Sequence, residues 1–139
     1  MRFYSLVNYY LSDLQRGLQT AHAVSEMLVD PNICSHKMSI YKDWAKNHKT
    51  IIILNGGNSR QLQETYDQLM PLCNNVGLPI TKFHEDEQSL NNALTCVGMV
   101  LPEYVYGRQI EAYDGPGSEH VTYSPEQQIF EIVSQFRLA

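Results

Sequence analysis

The run GLQTAHA at residues 17–23 places an amide side chain and an imidazole three residues apart. Residues three apart on a helix are surface neighbours, so Gln19 and His22 would lie side by side. An amide can both donate and accept hydrogen bonds, and an imidazole can exchange a proton near neutral pH. The pair is therefore suited to orienting a substrate or a water molecule. A polar helix face without chemistry is the alternative that the spacing leaves open.

An acidic run and a threonine further along the chain would complete such a site. Glu85, Asp86 and Glu87 lie in a polar segment, and one of them would position a water molecule if it faced the helix carrying Gln19. Thr95 begins an apolar run, where its hydroxyl would either bond the backbone or assist at a reactive group. A solvated acidic loop is the alternative for the carboxylates.

Positive side chains are few, and the formal net charge is −5. This balance argues against general affinity for a phosphate backbone, although a local basic patch is compatible with it. The candidates for that patch are Arg16, Lys42, Lys46, His48 and Lys49. Gly56-Gly57 lacks the lysine and serine of a phosphate-binding loop, and Cys34-Ser35-His36 lacks the paired spacing of a zinc site. We therefore predict no metal and no cofactor.

These residues must be positioned by an α/β fold. The chain of 139 residues suggests one domain, and strand-like and helix-like segments alternate along it. We predict a three-layer α/β/α arrangement with a mixed sheet of four or slightly more strands. In the first helix, a stripe of apolar residues is expected to be buried: Leu14, Leu18, Ala21, Val24 and Leu28. The segments predicted are strand 2–8, helix 13–29, helix 36–47, strand 50–54, helix 59–75, strands 78–83 and 93–101, a strand or arm at 104–113, and a helix from 124. Ser12 or Asp13 can cap the first helix, and Gly77 is placed to end the helix at 59–75. The continuous β-branched run at 50–54 suits a strand buried on both faces.

The cysteines and the N-terminus predict a soluble cytoplasmic protein. The three cysteines have no paired spacing, which is typical of free thiols in a reducing compartment. The first residues lack the long apolar region and cleavage site of a signal peptide. No stretch approaches the roughly 18 apolar residues needed to span a membrane.

Residues 7–28, VNYYLSDLQRGLQTAHAVSEML, resemble the first strand-to-helix segment of the type 2 peptidyl-tRNA hydrolases. Gln19, His22 and Ala23 match the family's A-x-Q-x-x-H-A helix, and this is the most specific match. Downstream, an F-x-E segment followed by L-T also resembles the family, in Phe83, Glu85, Leu94 and Thr95. The resemblance covers about residues 2–101.

The resemblance implies an esterase that cleaves peptide from tRNA, without a metal, and often as a homodimer. In that interpretation Gln19 and His22 frame the cleft, Glu85 or Asp86 positions water, and Thr95 assists. The residues expected to contact tRNA are Arg16, Gln15 and Lys49. Residues 1–102 would form the hydrolase-like domain, and residues 103–139 an extension with a last helix packed on the same domain.

A second hypothesis keeps the fold without the catalysis. Gln15 stands where the family commonly has a lysine, and Asn8 and Tyr10 stand where it has an arginine and an aspartate. The protein would then be a module that binds RNA or another protein.

Overall fold

The computed structural model describes residues 1–85, 92–107 and 123–139. Its elements confirm the predicted alternation of strands and helices. In chain order they are strand β1 (Arg2–Val7), helix α1 (Asp13–Val29), helix α2 (Ser35–Asp43), a π-helical turn (Trp44–His48), strand β2 (Ile51–Asn55), helix α3 (Ser59–Val76), strand β3 (Ile80–His84), strand β4 (Leu94–Leu101), helix α4 (Glu103–Tyr106) and helix α5 (Pro125–Ser134).

The four strands form one mixed open sheet in the order β2-β1-β4-β3. Strand β1 is parallel to β2 and antiparallel to β4, and β3 is antiparallel to β4. A parallel pair needs a long crossover connection, which α1 and α2 supply between β1 and β2. The last residue of β1, Val7, is paired with Cys96 near the start of β4. The last residue of β1 and the first residues of β4 therefore lie at the same end of the sheet.

Side chains that alternate along β1 divide the core into two layers. Phe3 and Val7 pack in the cluster that contains buried residues of α1 and α2, whereas Tyr4 and Leu6 pack with residues of α3 and α5. Successive residues of a strand point to opposite faces, so one strand supplies both clusters. Helices therefore cover both faces of the sheet, and the predicted three-layer α/β/α class is confirmed.

Strand β2 corrects one expectation. A continuous β-branched run is typical of a strand buried on both faces, but β2 lies at the edge of the sheet and only Leu54 in it is buried. The C-terminal residues pair with it: the Asn55 N–H donates to the Arg137 carbonyl at 2.8 Å, and the Ala139 N–H donates to the Ile53 carbonyl at 3.0 Å. These bonds satisfy backbone groups that an edge strand would otherwise present to solvent.

Helix α1 has the predicted bounds, and Ser12 caps it. The predicted buried stripe is wrong, because Leu14 is 75% exposed and Leu18 is 51% exposed. The buried residues of α1 are instead Gln19, Thr20, Ala23 and Met27. The helix is rotated so that two polar side chains enter the interior, where each finds a hydrogen-bond partner.

The other predicted helices and strands are mostly confirmed, with ends that differ by a few residues. Gly77 ends α3 with a positive φ of 72°, a conformation that glycine adopts without steric cost. The segment predicted as a strand or arm at 104–113 is helical at its start, in α4, and residues 108–113 lie outside the described part of the chain. Helix α5 contacts α3, and its Ile129 and Val133 are buried in the core cluster that also contains Tyr4 and Leu6. Among the helices described, none has the length and apolar character required to cross a bilayer.

Gly98 in β4 generates a stability prediction. A Cβ at this position would lie 2.6 Å from Cζ of Phe3 and 3.4 Å from Cβ of Ala23, which is on α1. We expect Gly98→Ala to lower the free energy of unfolding by about 1–3 kcal/mol, because this core has no room for the methyl group. Gly17→Ala is the control: a Cβ there has no neighbour within 4 Å, so the same change should raise stability by about 0.5–1 kcal/mol. Chemical denaturation measures both; equal effects would contradict the close approach at Gly98.

Candidate functional site

Three residues that are distant in sequence meet at the end of the sheet where β1 terminates. The Gln19 amide nitrogen on α1 donates to Oε2 of Glu85 at 2.6 Å. The Thr95 hydroxyl, near the start of β4, donates to the Gln19 amide oxygen at 2.8 Å. Thr95 Oγ1 also lies 3.3 Å from the Phe83 carbonyl oxygen. The sequence-predicted residues Gln19, Glu85 and Thr95 are thus joined in one chain of hydrogen bonds.

The chemistry of the partners determines how the Gln19 amide is oriented. A carboxylate only accepts hydrogen bonds, so the NH₂ group of Gln19 must face Glu85. The amide oxygen then faces the Thr95 hydroxyl, which has a proton to donate. Both ends of the amide are satisfied, and the chain runs in one direction, from the hydroxyl through the amide to the carboxylate.

This chain runs from the protein interior towards solvent. Thr95 is 1% exposed and Gln19 is 5% exposed, whereas Glu85 is partly buried. A hydrogen bond to a charged group contributes about 1.5–3 kcal/mol, and a buried amide left without partners would cost a similar amount. The carboxylate is therefore held in one position by groups that cannot easily turn away.

His22 lies on the exposed surface of α1, one turn beyond Gln19. Its ring packs against Phe83, with ring centroids 4.6 Å apart and planes inclined at 56°. Phe83 precedes Glu85 by two residues, so His22 flanks the same segment that carries the carboxylate. Gln19 is buried whereas His22 is exposed, so the amide faces the interior and the imidazole faces solvent.

A second polar network lies behind the first and was not predicted. Thr20 Oγ1 donates to the Arg16 carbonyl at 2.8 Å, and Ser5 Oγ lies 2.8 Å from Thr20 Oγ1 and 3.1 Å from Cys96 Sγ. Because the Thr20 proton is already used, Ser5 donates to Thr20 and the Cys96 thiol donates to Ser5. Burial raises the pKa of the Cys96 thiol to about 12, against a smaller lowering by Ser5. Cys96 is therefore a protonated structural group and not a nucleophile.

A cavity of about 270 Å³ adjoins the hydrogen-bonded chain, because Thr95 lines it. Its other lining residues come from the turn after β1, the first turn of α1, the start of α3 and the residue before β4: Asn8, Tyr10, Leu11, Gln15, Ser59 and Ala93. A larger groove of about 490 Å³ lies between α3 and the C-terminal residues, and its described lining includes none of the predicted site residues. The smaller cavity is therefore the candidate substrate position.

Gln15 and Asn8 each have a structural role in this cavity. The Gln15 side-chain oxygen accepts from the Ser12 N–H at 3.0 Å, which completes a capping box at the start of α1. The buried Asn8 donates through Nδ2 to Ser59 Oγ at 3.0 Å and accepts from the Tyr10 N–H at 3.1 Å. Asn8, Tyr10 and Ser59 were not predicted as site residues; the position of Asn8 and Tyr10 just after a strand was the available signal.

The predicted cationic residues are separated. Arg16 lies beside the turn after β1, where its guanidinium contacts Asp13 Oδ1 at 3.4 Å and the Tyr9 carbonyl at 3.5 Å. Its Nε has no hydrogen-bond partner in the described structure. Lys49 precedes β2, at the opposite end of the sheet, and is not brought to this site. Asp86 and Glu87 lie outside the described residues.

The described residues contain no group of three or more side chains suited to hold a metal ion. Comparisons of the sequence with protein-family models and with curated proteins find no match. The family resemblance therefore remains a prediction, and the geometry of Gln19, Glu85 and Thr95 is the basis for a functional proposal.

Thr95 provides a test of the hydrogen-bonded chain that is independent of activity. Thr95→Val keeps the side-chain shape but removes the donor to Gln19, so a buried amide oxygen loses its partner. We expect the free energy of unfolding to fall by about 1–3 kcal/mol. Thr95→Ser keeps the hydroxyl, so its free energy of unfolding should fall by less than half as much as that of Thr95→Val. Equal stability of the valine and serine variants would show that the bond to Gln19 contributes little.

Proposed function

We propose that the protein hydrolyses the ester that links a peptide to the 3′ end of tRNA. The observation that carries the proposal is the Gln19 amide, which joins the Glu85 carboxylate to the Thr95 hydroxyl at 2.6 Å and 2.8 Å beside a cavity. The resemblance of residues 7–28 to type 2 peptidyl-tRNA hydrolases supports the choice of substrate. Ester hydrolysis needs a positioned water and a base, and this group of residues can provide both.

In the proposed mechanism Glu85 is the general base. A carboxylate has about four acceptor positions, so a water molecule can share it with the Gln19 amide. Glu85 would take a proton from that water as the water oxygen attacks the ester carbonyl, and would give the proton to the ribose oxygen as its bond to the carbonyl carbon breaks. Gln19 keeps the carboxylate directed at the water, and Thr95 keeps Gln19 in its orientation. Holding the reacting groups in this way removes much of the entropic cost of the reaction.

The flanking residues would bind the substrate. His22 borders the site on the outer side through its contact with Phe83. Arg16 would contact a phosphate of the tRNA, since its guanidinium lies at the turn next to the cavity. Lys49 is too far along the sheet to act on the same nucleotide and would contact tRNA only at a distance from the ester.

A binding module without catalysis is the second candidate, and Gln15 favours it. The position where the family commonly has a lysine holds an amide that is bonded into the helix cap. The net charge of −5 also leaves few cations to stabilise negative charge in a transition state. Such a protein would bind RNA or a protein partner through the same cavity.

Turnover of a labelled peptidyl-tRNA by the purified protein tests the hydrolase. We expect Glu85→Gln to lower kcat about 10²–10⁴-fold, because the amide keeps the bond to Gln19 but is not a base. Gln19→Ala should lower kcat about 10²-fold through misplacement of the carboxylate. Glu64→Gln is the control, since Glu64 forms an exposed ion pair with Arg60 on α3.

The outcomes separate the two candidates. Turnover that is unchanged in both Gln19→Ala and Glu85→Gln would refute the proposed mechanism. No release above background at high enzyme concentration would refute the hydrolase, and tRNA retained without hydrolysis would support the binding module.

We also propose that the protein acts in the cytoplasm as a homodimer. Its three cysteines are unpaired, and α1 presents exposed leucines, Leu14, Leu18 and Leu28, along one side. Exposed apolar groups in a row are typical of a contact surface. Sedimentation should then show a dimer that Leu18→Glu weakens. Leu138→Glu is the control, because Leu138 is also exposed but lies in the C-terminal residues beside β2. A monomer at every concentration would exclude the dimer.

A further inference from the structure

The turn that follows β1 holds two tyrosines on a firmly bonded backbone. The Tyr9 N–H donates to the Gly57 carbonyl at 2.9 Å, and the Tyr10 N–H donates to the Asn8 side chain at 3.1 Å. The Leu11 N–H donates to the Asn8 carbonyl at 3.2 Å. Three consecutive N–H groups are thus bonded, so the direction in which the tyrosine side chains leave the turn is set by the backbone.

The two rings form an exposed aromatic surface. Their centroids are 4.1 Å apart with planes inclined at 31°, and Tyr10 is 76% exposed while Tyr9 is 42% exposed. A tyrosine that served only the core would be largely buried, as Tyr4 and Tyr41 are. An accessible aromatic face is the group on which proteins stack nucleobases, and such stacking tolerates any base.

Tyr10 and Thr95 both line the cavity described above. Leu11 and Ala93 contribute apolar wall, and the Gln15 NH₂ group can donate to the polar edge of a base while the amide oxygen stays bonded in the helix cap. The volume of about 270 Å³ is close to the lower limit for small-ligand pockets. A flat, mainly apolar ring with a polar edge fits this lining better than a phosphate does.

The connectivity of the proposed substrate places a base next to the reacting ester. In peptidyl-tRNA the ester is carried by the ribose of the terminal nucleotide, which is an adenosine, so ester and adenine share one sugar. If the ester carbonyl lies at Glu85 and Thr95, the adenine must lie within one sugar of them. Thr95 and Tyr10 both line the cavity, so the cavity adjoins the Thr95 side of that position.

We propose that this cavity is the binding site for the terminal adenine, with Tyr10 stacked on the base. The inference rests on the proposed function, and it adds the residue that recognises the nucleotide. Adenine is uncharged, so the net charge of −5 does not oppose its entry. Arg16 lies at the same turn, where it contacts the Tyr9 carbonyl and Asp13, and it would contact the phosphate of the same nucleotide. A side chain of the peptide is the competing occupant.

A cycle of two changes tests the contact. The protein variants are Tyr10→Ala and Tyr10→Phe, with Tyr104→Ala as the control; Tyr104 is 53% exposed on α4, at the opposite end of the sheet. The substrates are peptidyl-tRNA ending in adenosine and the same molecule with an abasic ribose at its end. We expect Tyr10→Ala to raise KM about tenfold or more on the adenosine substrate and by less than about twofold on the abasic one.

The remaining variants define what the contact is. Tyr10→Phe keeps the ring and should stay within about twofold of the unmodified protein, as should Tyr104→Ala. An equal effect of Tyr10→Ala on both substrates would overturn the inference, since the residue would then serve the peptide or the fold. No effect on either substrate would overturn it as well, while leaving hydrolysis intact. Thermal unfolding of each variant checks that the fold is kept.

Binding of the trinucleotide CCA, followed by NMR of Thr95 and Ala93, gives a readout without hydrolysis. We expect their signals to shift on titration, with affinity weakened about tenfold or more in Tyr10→Ala and retained in Tyr10→Phe. Binding through Tyr10 with no turnover of peptidyl-tRNA would support the nucleotide site and refute the hydrolase. Failure of CCA to bind the unmodified protein at millimolar concentration would overturn the site.

Discussion

The buried amide of Gln19 is the constraint on which the position of helix α1 depends. It is bonded at one end to Thr95 on β4 and at the other to Glu85 after β3. Leaving either end unpaired in the interior would cost about 1–3 kcal/mol. If α1 rotated to bury Leu14 and Leu18, both bonds would break, and the leucine burial gained would have to offset two unsatisfied polar groups. The amide therefore selects the face of the helix that meets the sheet.

The surroundings of Gln19 are built to accept this polar face. Thr20, the next residue, bonds to Ser5 on β1, and Ser5 bonds to Cys96. Gly98 on β4 leaves room for Phe3 and Ala23, so helix and sheet come close enough for short hydrogen bonds. A fully bonded polar layer of this kind gives less hydrophobic stabilisation than leucines would, but it admits only one arrangement of its members.

How far the fold could be predicted from the sequence depends on which interactions are local. Capping groups and helical period predicted the bounds of α1 and the end of α3 at Gly77, because a cap is formed by residues next to one another. The burial of α1 and the edge position of β2 could not be predicted in the same way. Periodicity assumes that the apolar side is the buried side, and α1 reverses this for Gln19. A β-branched run such as residues 51–53 shows that a strand forms, but not which strands lie beside it.

The candidate site was predicted in part for a related reason. The prediction of Gln19, Glu85 and Thr95 depends partly on a family resemblance, because their contacts span 66 and 76 residues of sequence. No local rule predicts that an amide at position 19 meets a hydroxyl at position 95. The turn residues Asn8 and Tyr10 were assigned no role in the site, because their importance comes from the cavity between two helix starts, which exists only in the folded chain.

The mixed topology explains why the site lies where it does. In a parallel pair, the two strands end at the same end of the sheet, and the turns after β1 and β2 lead there into α1 and α3. Because β4 runs antiparallel to β1, its first residues reach that same end, and the pairing of Val7 with Cys96 places Thr95 there. A parallel β4 would bring its last residues to this end instead, and Leu94–Cys96 would lie at the opposite end of the sheet. Because the central strand β4 runs in the reverse direction, Thr95 at its start lies beside Gln19 on α1, the helix that follows the end of β1.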